Sequence, residues 1–179
     1  AALSDAIASA AALSCAEAHG TGTALGDPIE TRSLAGAVLA QRGGEAALAL
    51  GSSKATSGHG EPAAGASGLL SLTLTLCRAE APPNAQLRVM NPHVEAALKG
   101  HACGATVGVG ALGASEGGVG GVSSFGYSGT IAHALLQSHA VAEKPGVAAA
   151  CGPAYRRRSF PWPTSDAAAA SPLRADGLC

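Results

Sequence analysis

Aromatic residues are scarce in this chain of 179 residues, at 3% of the total with a single tryptophan. Any core is therefore built from small side chains and closely spaced backbones, not from large rings. An excess of one charge is also lacking: 11 Lys and Arg stand against 12 Asp and Glu. There is no basic stripe to neutralise phosphates, so a nucleic-acid partner finds no support. The run Arg156-Arg157-Arg158 is short and reads as a solvated tail. No apolar run approaches the roughly 20 residues that span a bilayer. The longest, Leu69 to Cys77, is broken by Ser71, Thr73 and Thr75. The N-terminus has neither the basic flank nor the uninterrupted apolar stretch of a signal peptide. Paired cysteines are missing too. Cys15, Cys77, Cys103, Cys151 and Cys179 form no CxxC and are odd in number, which argues against a disulfide framework or a structural zinc site. A reducing, cytoplasmic setting is expected, or an organelle where a targeting segment lies upstream.

What is present is apolar and small. Hydrophobic residues make up 47% of the chain, with Ala and Gly dominant, which suits a compact α/β domain. The chain opens on Ala1 inside a helical pattern over residues 3–13, as a piece cut within a domain would read. A short buried strand is predicted from Cys15 to Ala18. Asp27-Pro28-Ile29-Glu30 then reads as a helix start, with Asp27 as cap, Pro28 at the first position and Glu30 closing a capping box. That helix is expected to stop at Gly43-Gly44. A strand follows over Ala46 to Ser53, then a glycine-rich loop carrying Lys54 and His59. Residues 62–78 fit both strand alternation and helical spacing; their length and Pro62 favour a helix, ended by Pro82-Pro83-Asn84. Strands at Val119 to Phe125 and Thr130 to Gln137 flank Gly-Tyr-Ser-Gly and read as a hairpin. From about Ala140 the chain turns Ala- and Pro-rich and reads as an extended tail, expected to pack on the domain through Phe160 and Trp162. This gives one domain over residues 1–138 and a tail over 139–179.

Three stretches place a histidine or an aromatic on a glycine-rich turn at a strand end, where backbone and side chain can approach a ligand closely. They are Glu17 to Thr23 with His19, Lys54 to Gly65 with His59, and Ser123 to Thr130 with Phe125 and Tyr127. Simple rival motifs fail. Gly20, Gly22 and Gly26 do not give a dinucleotide fingerprint, and no P-loop pattern occurs. Gly126-Tyr127-Ser128-Gly129-Thr130 misses a serine-hydrolase elbow by its spacing. Neither HExxH nor a close His/Cys cluster points to a metal.

Taken together and in order, these stretches resemble the ketosynthases of modular polyketide synthases. Glu17-Ala18-His19-Gly20-Thr21-Gly22-Thr23 through Glu30 is similar to the family's first histidine motif. Gly51-Ser52-Ser53-Lys54, with His59 and Glu61 to Gly65, resembles its lysine and second histidine motif. Pro82-Pro83-Asn84 and Asn91-Pro92-His93 fall where the family has similar segments, and Val122 to Thr130 resembles its closing glycine-rich loop, followed by Ala132-His133. The likeness covers roughly residues 3–138. It implies an α/β, thiolase-like fold, here the C-terminal half-core of mixed sheet with helices on its faces. It also implies a decarboxylative Claisen condensation between an acyl group on a cysteine and malonyl on an acyl carrier protein.

By that resemblance His19 and His59 donate N–H groups to the thioester oxygen as charge gathers there, and Lys54 supplies a positive field. Thr21 and Thr23 match the threonines that bind the pantetheine arm. Phe125 and Tyr127 match the gating loop, the Tyr127 N–H being half of an oxyanion hole. No resident cofactor is implied, because the substrates ride on the carrier's phosphopantetheine. The nucleophilic cysteine belongs to an upstream turn, so this stretch is expected to need an N-terminal ketosynthase half. In the complete enzyme the implied assembly is a homodimer. Alone, the chain is expected to expose the face that meets the missing half and to associate.

Blander readings stand beside these. Thr21 and Thr23 suit a turn equally well. Tyr127 can be a packed aromatic, Lys54 a solvated charge and Glu61 a charge on a helix dipole. His93, His101, His133 and His139 read as surface or satisfied core residues, and Cys103 as a buried thiol. Gly60, Pro62 and Ile131 depart from the family's usual Thr, Ala and Asn. A non-catalytic structural or dimerisation partner related to ketosynthases, or a truncated product without function, remain as alternatives.

Overall fold

The computed structural model describes residues 10–43, 46–112 and 118–139. Most of the expected helix over residues 3–13, and the tail with Phe160 and Trp162, lie outside the described residues. What is seen of that helix is one 3₁₀ turn, Ala10–Ala12, leading into strand β1, Leu13–Glu17. The strand starts earlier than Cys15 because Leu13 is buried and pairs with Val119.

Helix α1, Gly26–Ala37, follows a glycine turn, and β2 spans Leu48–Gly51. A short helix α2, Lys54–Ser57, and a 3₁₀ turn, Glu61–Ala63, precede the long helix α3, Ala64–Arg78. Next come β3, Glu80–Ala81, helix α4, Pro92–Leu98, then β4, Cys103–Ala105, and β5, Gly110–Ala111. The hairpin β6, Val119–Phe125, and β7, Ile131–Gln137, closes the order.

Five strands form one mixed sheet in the order β4-β2-β1-β6-β7; β3 and β5 make a small antiparallel pair. β1 runs parallel to both β2 and β6, β2 runs parallel to β4, and β7 alone is antiparallel to its neighbour. The two faces are separate cores. On one, α3 lays Leu72 and Leu76 onto Cys15 and Val122. On the other, Leu34 of α1 and Leu98 of α4 pack with Ala16, Leu48 and Leu135. The result is a three-layer α/β arrangement, as the resemblance implied.

Residues 64–78 are helical because Ala64, Gly68, Leu72 and Leu76 recur on one buried face. Leu70 and Leu74 are left 66% and 54% exposed on the other. The helix ends at Ala79 in a left-handed conformation, φ 52°, ahead of the expected Pro82 stop. Three other boundaries differ from expectation. α1 stops at Ala37, because Leu39 turns into the core and Arg42 reaches back to the carbonyls of Ala10, Leu13 and Ala46 at 2.7, 2.6 and 2.6 Å. β2 is shorter than Ala46 to Ser53, since Ser52 and Ser53 turn away to start the segment of Lys54. Thr130 belongs to the hairpin turn, where its carbonyl accepts the Gly126 N–H at 2.6 Å.

The helix-start expectation for Asp27 and Glu30 also needs correcting. Residue Leu25 precedes the helix and no side chain caps it. Asp27 lies within the first turn and accepts the Gly22 N–H at 3.1 Å. Glu30 makes no capping box; its carboxylate faces the preceding turn. Helix α4 and strands β3, β4 and β5 carried no clear periodic signal, being very short.

Candidate active site

Parallel strands deliver their C-terminal ends to one edge of a sheet, and loops leaving that edge meet there. β1 is central, flanked by β2 and β6. His19 leaves the end of β1, Lys54 the end of β2, and Phe125 closes β6. His59 enters on the turn that precedes α3, the helix packed across β1 and β6. Three separate sequence motifs thus arrive at one place.

The two imidazoles come together. The rings of His19 and His59 lie 5.5 Å apart, centre to centre, and nearly perpendicular at 87°. The Phe125 ring lies 5.4 Å from His19, tilted by 42°. His19 is buried and its Nδ1 has no hydrogen-bond partner. Burial pushes its pKa below the ordinary histidine value, and the Lys54 charge pushes it the same way, against a weaker pull from Asp27. Both effects favour the neutral form of the ring. The exposed His59 accepts the Glu61 backbone N–H on Nδ1 at 3.2 Å. In the neutral ring that leaves the hydrogen on Nε2, free to be donated.

The turn after β1 is held by Glu30. Its two carboxylate oxygens accept the backbone N–H groups of His19 and Gly20 at 2.7 and 2.9 Å. Burial raises the Glu30 pKa, while those two N–H groups and Lys54 lower it. Gly20 sits at φ 46°, and a Cβ there would stand 2.8 Å from the Ser52 side chain, so only glycine lets the ends of β1 and β2 approach.

The other site candidates are placed as follows. Lys54 is half-buried and opens α2, not a loop as expected. The Thr21 and Thr23 hydroxyls are 3.4 Å apart, and Thr23 Oγ1 accepts the Gly26 N–H at 3.1 Å, so it does build the turn. Tyr127 is fully exposed at the hairpin tip and its ring takes no part in the aromatic cluster. His93, His133 and His139 are exposed and His101 half-buried. Cys103 is only half-buried, in β4, and burial lifts its thiol to about 11, so it is a poor nucleophile. Among the described residues no group of three His, Cys, Asp or Glu side chains is arranged to hold a metal ion, and no helix is long and apolar enough to cross a membrane.

Sequence reasoning missed two supports of this site. The spacing of Glu30 points only to a helix cap, not to the turn of His19 that it holds. Asn84 stands out in the sequence only through its place in a motif, yet its Oδ1 accepts the Ser52 N–H at 3.0 Å while its Nδ2 donates to the carbonyls of Leu50 and Thr106 at 3.0 and 3.2 Å. It fastens the end of β2 from the side.

Residues 1–88 match the model of the β-ketoacyl synthase C-terminal domain family. The chain is 39% identical over 127 residues to the highly reducing polyketide synthase azaB of Aspergillus niger, covering 68% of this chain and 5% of that protein. It is 38% identical over 141 residues to the erythronolide synthase EryA3 of Saccharopolyspora erythraea, covering 76% of this chain and 4% of that one. Among solved structures, the oxazolomycin ketosynthase domain of Streptomyces albus superposes with a TM-score of 0.69 at 31% identity, over 76% of this chain and 24% of that one. A ketosynthase from module 6 of the Bacillus subtilis bacillaene synthase gives a TM-score of 0.70 at 28% identity, over 76% and 25%. The chain thus spans a small part of each polyketide synthase and about a quarter of each ketosynthase chain. With this sheet, these motifs and these relatives, the chain belongs to the β-ketoacyl synthase family and carries the C-terminal domain of a modular polyketide synthase ketosynthase.

Proposed function

We propose that this chain supplies the decarboxylating half of a ketosynthase active site, an acyltransferase that joins malonyl and acyl thioesters. The single observation that carries this reading is the approach of the His19 and His59 rings to 5.5 Å from two separate turns. In the reaction, the bond between the malonyl carboxylate and its neighbouring carbon breaks and carbon dioxide leaves. The electron pair moves into an enolate whose charge gathers on the thioester oxygen. Two neutral imidazoles donating to that oxygen stabilise it, and losing one such donor costs about 10²- to 10³-fold in rate. The enolate carbon then attacks the acyl carbonyl and the cysteine thiolate departs.

Burial favours the neutral form of His19, which suits a donor that must not carry its own charge. Lys54 acts through its field on His19. Thr21 and Thr23 hold the pantetheine arm in this reading, and Phe125 with the Tyr127 loop gates the acyl chain. The nucleophilic cysteine comes from an N-terminal ketosynthase half. The malonyl donor is an acyl carrier protein, the intact enzyme is a homodimer, and no resident cofactor is required.

The test is made in an intact ketosynthase containing this chain. His19→Ala and His59→Ala are each expected to lower malonyl decarboxylation about 10²- to 10³-fold while cysteine acylation is retained. Unchanged decarboxylation in both variants refutes the assignment and leaves the non-catalytic partner role.

A further inference from the structure

Glu17 is the last residue of β1 and is buried, at 6% exposure. A buried carboxylate is costly unless its oxygens are satisfied. Here Oε1 accepts the backbone N–H of Ser53 at 2.6 Å and Oε2 accepts the Ser71 hydroxyl at 3.2 Å. Gly68, one turn before Ser71 on α3, lies against the Glu17 side chain; a Cβ at that position would stand 3.4 Å from Cγ. The carboxylate therefore joins three elements. Its own strand leads into the turn that carries His19 two residues on, Ser53 immediately precedes Lys54, and α3 follows the turn of His59.

We propose that Glu17 is a positioning residue of the condensing site. Resting on the reading above, it sets the spacing of His19, Lys54 and His59 through hydrogen bonds to Ser53 and Ser71. The work is geometric: the side chain must be long enough to reach both partners at once. Charge is not needed. A glutamine in the same pose keeps an oxygen for the Ser53 N–H and offers an amide N–H to the Ser71 oxygen, since a hydroxyl can accept as well as donate. An aspartate keeps the charge but falls one methylene short. Displacing catalytic groups by about 1 Å costs on the order of 10²-fold, so the shorter carboxylate is the damaging change.

The experiment compares Glu17→Asp and Glu17→Gln in the intact ketosynthase, with His19→Ala and His59→Ala alongside. Malonyl decarboxylation and cysteine acylation are measured separately, each as kcat and KM. Expected are a fall of about 10- to 100-fold in decarboxylation kcat for Glu17→Asp, with KM and acylation little changed, and near-parental rates for Glu17→Gln. Equal loss in both variants, or loss in neither, overturns the positioning role. A parallel loss of acylation, or of folded protein, makes Glu17 merely structural and overturns it too. If the histidine variants keep full decarboxylation, the functional reading itself fails. If they lose it while Glu17→Asp does not, only the inference about Glu17 fails.

Discussion

The backbone N–H of His19 points into the carboxylate of Glu30, 2.7 Å away and eleven residues along the chain. The bond crosses from the glycine turn to the first turns of α1, so the helix orients the ring it does not touch. Glu30→Gln replaces one of two acceptors by an amide that faces a backbone N–H. Leaving a buried N–H unpaired costs about 1–3 kcal/mol. Denaturant unfolding of the intact ketosynthase is expected to show a loss of that size, and wild-type stability in the variant would contradict the role.

Protonation of His19 sets a sign for the dependence on pH. Its pKa is depressed, first by burial and then by Lys54. The unfolded chain takes up the proton near the ordinary value of about 6.5. Stability contributed by the neutral ring is therefore complete above that value and is lost as pH falls through the lower folded pKa. Lys54→Met removes one depressing charge, so the His19 pKa rises. An NMR titration of the His19 ring is expected to show its midpoint moving upward in the variant; a fixed or lower midpoint contradicts this.

Close packing of α3 on β6 rests on Gly120. A Cβ there would come within 2.5 Å of Leu72 Cδ1 and 2.9 Å of Cys15 Sγ. Gly120→Ala is expected to destabilise by about 1–3 kcal/mol through overpacking. Leu72→Ala alone leaves a cavity and costs about 2–5 kcal/mol. Because the added methyl enters the vacated space, the double variant is expected to be less damaged than the sum of the two. Strict additivity in thermal or denaturant unfolding would show that the two residues do not press on each other.

Asn84 ties β2 to the segment after β4 with a donor and an acceptor used in opposite directions. Asn84→Asp places a carboxylate oxygen against the carbonyls of Leu50 and Thr106. It is therefore expected to lower the unfolding midpoint more than Asn84→Ala does. The reverse order would mean that the amide donor is dispensable.

Much of the architecture was legible because its signals are local. The β6–β7 hairpin announced itself through two apolar runs around a glycine turn, and β1 through a short buried stretch. The region 62–78 was ambiguous from pattern alone. Its helical state follows from Gly68, Leu72 and Leu76 meeting Glu17, Gly120 and the core of Cys15 and Val122 on one face, partners distant in sequence. Asp27 and Glu30 show the opposite case. Their spacing satisfies the rule for a capping box, but the backbone N–H groups of Gly22, His19 and Gly20 in the preceding turn claimed both carboxylates. A propensity rule knows only the nearest turn, and tertiary competition decided the outcome.

The candidate site divides along the same line. His19, Lys54, His59 and Phe125 stand out by residue type on glycine turns, and ordered motifs of that length name a family. The amino-acid sequence alone therefore determined the family, the α/β fold that goes with it, and the residues proposed for the chemistry. Only the folded chain decided that β1 runs between two parallel neighbours, which brings the two imidazoles to 5.5 Å and leaves Tyr127 in solvent. Distances between groups forty residues apart are set by strand order and by buried hydrogen bonds, and neither is encoded in any single stretch of sequence.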